Sequence, residues 1–173
     1  MAVIRVIRNK RQRQGYMKKL INDVWNRPDT ICRWGGYLDD SGAIISSFEM
    51  VQRAYGSLAI PVHCFQLIFE PGTNIQMAQT FVGTVVQYLN SEYQTIAVLD
   101  HNNDGLLEAT FVLNAVSYKN GSVFHDNNHT YLQLQKTLES LSGQKWVFEA
   151  GDSVFFTNED DSECFQDYNA EYN

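Results

Sequence analysis

The sequence predicts an α+β domain in which a central, mostly antiparallel sheet carries helices packed on one face. Two observations predict this. Near the middle, residues 94–99 are apolar and β-branched, Asn102-Asn103-Asp104-Gly105 supplies a tight turn, and residues 106–117 alternate, which together read as a β-hairpin. Around that hairpin, strand and helix patterns follow one another in mixed order, and the longest helix has a stripe wide enough to require a sheet beneath it.

The elements follow in chain order. Residues 2–8 alternate as a strand whose ends emerge at arginines. From residue 10 or 11 to 26, Met17, Leu20, Ile21 and Val24 keep helical spacing until Pro28 ends the run. Residues 30–38 form a short strand broken at Gly35-Gly36, and Asp39-Asp40-Ser41-Gly42 caps a helix through Ile44, Phe48, Val51 and Tyr55. Residues 62–69 are almost continuously apolar, which predicts a central strand. Thr73 or Asn74 caps the long helix through Ile75, Ala78, Phe81, Val82, Val85, Val86 and Leu89. After the hairpin come a turn at Asn120-Gly121, a helix over 129–142, a strand over 145–149 and a short apolar piece over 154–156.

In the second hairpin strand, Leu107, Ala109, Phe111, Leu113 and Ala115 share one face, which is core. The opposite face carries Leu106, Glu108, Thr110, Val112 and Asn114, a mixture that suits either solvent or a site.

The chain has 173 residues, 44% of them hydrophobic, enough for one globular domain. We assign residues 1–150 to that domain and 151–173 to an acidic C-terminal tail. No apolar run approaches the roughly 18 residues of a membrane span. The basic start also lacks the hydrophobic region of a signal peptide, so a soluble cytoplasmic protein with no membrane partner is expected. Cys32, Cys64 and Cys164 fit neither a disulfide framework nor a zinc knuckle and read as reduced thiols. The net charge of -7 is unevenly spread. Seven of the thirteen basic residues, Arg5, Arg8, Lys10, Arg11, Arg13, Lys18 and Lys19, lie in the first twenty positions, where there is no acid. After Lys145 every charged residue is acidic. The basic end suits phosphate, and the acidic end repels it.

Several short motifs follow one another in the order of a known family. They are Gly35-Gly36 and Ala43, Glu49-Met50, Tyr55-Gly56, His63, Phe69-Glu70-Pro71-Gly72, Tyr93-Gln94, His101, Asn114-Ala115-Val116, Gly121 and His125. Over roughly residues 1–142 this order resembles the mobilisation relaxases, which nick a plasmid or integrative element at its transfer origin. The resemblance implies the relaxase-like His-hydrophobic-His endonuclease fold, with the sheet face opposite the helices open to single-stranded DNA and metal. It also implies a tyrosine hydroxyl attacking phosphorus while a divalent cation on histidines polarises the phosphate.

The sequence departs from that pattern at the metal. His101 matches the family's histidine in the first strand, but its alternating histidines fall, counting back from Asn114, on Leu106, Glu108 and Thr110. His101 and Glu108 are therefore the candidate ligands, and with oxygens from Asp100 or Asp104 they would take Mg²⁺ or Mn²⁺. His63, a strand-edge histidine or a supporting donor, and the pair His125 and His129, metal-spaced but equally explained by helix-start chemistry, are weaker alternatives. Tyr16 is the tyrosine of the first helix, although the family's nucleophile falls nearer Leu20.

Arg8, Lys10, Arg11, Arg13, Lys18 and Lys19 are the candidate DNA contacts, and Trp25, Trp34 and Tyr37 suit either base stacking or core packing. Three functions remain open. One is a relaxase-like protein of a mobile element that no longer nicks, binding single-stranded or transfer-origin DNA or serving with other mobilisation proteins in conjugation. Another is a divergent metal-dependent nickase forming a phosphotyrosine intermediate. The last is a protein-interaction module whose acidic tail mimics DNA.

Overall fold

The computed structural model describes residues 1–8, 12, 14–35, 40–56 and 60–149. The elements run β1 (Ala2–Ile7), α1 (Tyr16–Trp25), β2 (Cys32–Trp34), α2 (Ser41–Tyr55), β3 (Val62–Ile68), α3 (Ile75–Asn90), β4 (Thr95–His101), β5 (Leu107–Asn114), α4 (Asn128–Ser142) and β6 (Trp146–Phe148). The six strands form one sheet in the order β2-β4-β5-β3-β1-β6. Every pairing is antiparallel except β1 with β6. The domain is α+β with a mixed, mostly antiparallel sheet, and the apolar run over 62–69 is indeed a central strand. The expected piece over 154–156 and the acidic tail lie outside the described residues.

Local chemistry sets the boundaries. Asp40 caps α2 by accepting from the Gly42 N–H, Asn74 caps α3 by accepting from Gln76 and Met77, and Asn127 caps α4 through Thr130. The hairpin turn is held by the Asn102 side chain, which accepts from the N–H groups of Asp104 and Leu106. Helix α1 starts later than the apolar spacing predicts, after Gly15 at φ 86°, with no side chain capping it.

Helices cover both sides of the sheet, not one as the sequence suggested. On the first face, α3 and α4 bury Phe65, Leu67, Ala97, Leu99, Phe111 and Leu113, and the Phe65 and Phe111 rings stack 4.7 Å apart. On the second, α1 and α2 pack Met17, Ile21, Val24, Ile44, Ile45 and Phe48 onto Val62, Cys64, Ile96, Val98 and Val112. The cause is the composition of that second face, whose residues toward one end of the strands are apolar and must be covered. Burial there pushes the Cys64 thiol up to about 12, leaving it an inert core residue. Toward the other end the second face turns polar, and neither buried cluster extends over it.

The Gly35-Gly36 signal has a structural basis at its first residue. Gly35 has φ 90°, and a Cβ there would collide with the Thr95 carbonyl. Gly35→Ala should therefore lower stability in urea melts by about 1–3 kcal/mol, with the β2–β4 edge exchanging its amide protons faster than the rest of the sheet. Unchanged stability would show that the edge yields without strain.

Candidate functional site: a row of guanidiniums on the second face

Strand register assembles the polar end of the second face. Arg33 in β2 stands opposite Val98 in β4, Val98 opposite Thr110 in β5, Thr110 opposite Gln66 in β3, and Gln66 opposite Arg5 in β1. These five residues form a row across five strands, about 19 Å at the usual strand spacing. The next row on the same face includes Asp100 opposite Glu108 and Glu108 opposite Ile68.

Hydrogen bonds knit the two rows together. Arg5 Nη1 donates to Gln66 Oε1 at 3.1 Å and to Glu108 Oε2 at 3.5 Å. Gln66 Nε2 donates to Glu108 Oε1 at 2.9 Å and to Thr110 Oγ1 at 3.2 Å. Arg27, just past the end of α1, reaches in so that Nη1 donates to Thr110 Oγ1 at 3.0 Å and to Asp100 Oδ2 at 3.2 Å. Arg33 holds the end of α1 by donating to the carbonyls of Trp25 and Arg27. Beyond Arg5, Glu149 closes the row: Arg5 Nε and Nη2 donate to its two carboxylate oxygens, both at 2.8 Å.

The charges explain the titration behaviour. Burial raises the Glu108 pKa above its ordinary value, Arg5 opposes the rise, and neighbouring Asp100 adds to it. Glu149, nearer solvent, is lowered by its hydrogen bonds from Arg5.

The predicted site residues separate. His101 and Glu108 do not meet, because neighbouring positions on a strand point to opposite faces. His101 stands opposite Leu107 on the first-face side, and Asp100 is the β4 residue beside Glu108. Tyr16 opens α1 near the opposite end of the strands. Its neighbour Met17 lies by Gln52, which bonds Asn114, whereas Arg27 beyond the helix end bonds Thr110. Ten residues of helix separate those ends by about 15 Å.

The basic candidates also divide. Arg8, three residues from Arg5, falls on the other face, pairs with Asp126 at 3.1 Å with only 10% of its side chain exposed, and lies over the Tyr131 ring. Lys18 pairs with Glu49 and Lys19 with Asp23, both lysines on the outer side of α1. Lys10, Arg11 and Arg13 lie outside the described residues, as does Tyr37. Trp25 is core on the second face, and Trp34 is partly buried against the first-face core.

His63, the second residue of β3, is buried beside Phe124, and burial lowers its pKa to about 4, so it is a neutral core histidine. His125 and His129 flank the Asn127 cap of α4.

A divalent cation does not fit these residues. Among the described residues no three His, Cys, Asp or Glu side chains come together as a metal-binding group. Asp100 and Glu108 instead face guanidiniums, which already supply the positive charge, and Thr110 is engaged by Gln66 and Arg27. The residues that sequence reasoning missed are Arg27, Arg33 and Gln66. A signal was present for Arg27: a carboxylate in a strand interior requires a cation, and this arginine follows directly on the helix that covers the strand.

The raised Glu108 pKa carries a sign. The folded state binds the extra proton, so Glu108 makes stability fall as pH rises from about 4.5 through the raised pKa. Glu108→Gln should remove that component from urea melts collected between pH 4 and 7. Arg27→Ala should cost about 1–3 kcal/mol by leaving Asp100 without its guanidinium donor and Thr110 with Gln66 alone. A pH profile identical to that of the unaltered protein would show that Glu108 titrates normally.

Comparison with known proteins adds an independent finding. A family model for relaxases, described as the MobA/VirD2-like nuclease domain, matches residues 21–145. Comparison with curated proteins gave no match, and comparison with solved structures gave none. The matched span reaches from within α1 to the residue before β6 and takes in the whole hairpin with its polar second face, and on that match the chain belongs to the MobA/VirD2-like relaxase nuclease-domain family.

Proposed function

We propose that this relaxase-domain protein of a plasmid or integrative element binds single-stranded or transfer-origin DNA without nicking it. One observation carries the reading: of the three positions where the resemblance puts alternating histidines, Leu106 cannot ligate, and Glu108 and Thr110 are both engaged by the Arg5–Gln66–Arg27 network. A guanidinium matches phosphate oxygens in charge and geometry, so a row containing Arg33, Arg27 and Arg5 suits the backbone of an extended strand. Among the described residues nothing accepts from Arg27 Nε or Nη2, so these donors remain for a ligand. The basic N-terminal stretch, with Lys10, Arg11, Arg13, Lys18 and Lys19, adds charge for the same polyanion.

Binding without cutting follows from what the row lacks. Nicking needs a nucleophile at the phosphate, and Tyr16 is a helix length away. It also needs the cation chemistry that the Mg²⁺ or Mn²⁺ reading supposed, for which the donor set here is unsuited. Partners beyond DNA are then other mobilisation proteins that carry out the strand transfer.

Two assays test this. Affinity for a single-stranded oligonucleotide, measured by anisotropy at several salt concentrations, should fall with a log–log slope of about -2 or steeper. Arg27→Gln should flatten that slope by about 0.7. Incubation of the same DNA with Mn²⁺ should give no covalent protein adduct on denaturing gels. An adduct that disappears in Tyr16→Phe would replace this reading with the active nickase, and salt-independent binding or none would remove the DNA role.

A further inference from the structure

We infer that Glu149 is an internal competitor for DNA phosphate, occupying Arg5 until a nucleic-acid strand displaces it. This rests on the DNA-binding reading above and concerns how that surface is regulated.

The geometry is that of a phosphate mimic. Glu149 presents two oxygens to Nε and Nη2 of Arg5, both at 2.8 Å, the paired donor–acceptor arrangement by which arginine also holds a phosphate. It stands at the end of the arginine row, at the first position after edge strand β6, where its backbone N–H still bonds the Ile4 carbonyl. The carboxylate is therefore delivered to Arg5 by the sheet and is not a chance surface contact.

The contact is also releasable. The two side chains are 36% and 41% exposed, so water can take over their hydrogen bonds at small cost, unlike the buried Arg8–Asp126 pair. If Glu149 leaves, Arg5 still donates through Nη1 to Gln66 and Glu108. The guanidinium then stays aimed, with Nε and Nη2 ready for two phosphate oxygens. Nothing need move except one side chain. Charge adds to the effect, because displacing Glu149 removes one carboxylate from beside Arg5, whose remaining acidic partner is Glu108.

A structural staple between β6 and β1 would show the same distances, and a double-mutant cycle on DNA binding separates the two. The full chain, Glu149→Gln, Arg5→Gln and the double variant are titrated with a fluorescent twenty-nucleotide oligothymidylate at fixed salt, with thermal melts showing that each is folded. Glu92→Gln, after α3 and bonded to Ser122 away from the row, makes the same change in net charge and serves as the charge control. A competitor predicts binding about three- to fivefold tighter in Glu149→Gln. That gain should vanish when Arg5 is already glutamine, because the two residues act on one another.

An equal gain with and without Arg5 would reduce Glu149 to general charge repulsion and overturn the inference. Unchanged or weaker binding in Glu149→Gln would leave only the staple. If the unaltered chain binds the oligonucleotide but Glu149→Gln gains nothing, this inference alone falls. If neither binds, at this salt or in a repeat at lower salt, the DNA-binding reading falls with it.

Discussion

The polar end of the second sheet face depends on one constraint: charges placed on strand interiors, buried from water, have to be neutralised by groups the fold brings to them. Asp100 and Glu108 sit opposite one another on paired strands, where two carboxylates alone would repel. Arg27 answers the first and Arg5 the second, and Gln66 and Thr110 bridge between them. The arginines come from opposite sides, one on strand β1 and one just past helix α1, so the network ties the sheet to the helical layer above it. Removing any member strands its partners in a place where water reaches them poorly.

The family motifs divide into two kinds when placed in the fold. Several of those that match, though not His101, are supports. Gly35 allows β2 to meet the Thr95 carbonyl, and Gly121, at φ 74°, leaves room for the Tyr55 ring. Fully buried Asn114 joins Gln52, Gln94 and the Phe48 carbonyl. These residues hold α2, β5 and the loop after β5 together whatever the chemistry at the other end of the strands. The positions that depart from the family are the ones whose side chains face the polar row. A fold can keep its framework and change its chemistry because Gly35, Gly121 and Asn114 lie apart from Glu108 and Thr110.

Much of this was legible in the sequence. The hairpin, the caps at Asp40 and Asn74, and the mixed face of β5 follow from turn chemistry and from a two-residue period, which are local properties. Two things were not. The apolar half of the second face is built from Ile96, Val98, Val112 and Cys64 on three different strands, and no single stretch reveals that they adjoin and need a second helical layer. The site fails to read for a related reason. His101 and Asp100 differ by one position, and only the register to β5 decides which stands beside Glu108. The partners of the carboxylates are separated from them by tens of residues in sequence, so pairing between charges was beyond a reading by motif.

The account turns on positive charge from the protein standing where the family's resemblance would put a metal ion. Titrating the full chain with Mn²⁺ under anaerobic, chelator-free conditions and following free ion by electron paramagnetic resonance tests this most directly. The account predicts no stoichiometric uptake, and an Arg5, Arg27 double substitution to glutamine that binds Mn²⁺ better than the unaltered chain. One equivalent taken up by the unaltered chain and lost in Glu108→Gln would contradict it.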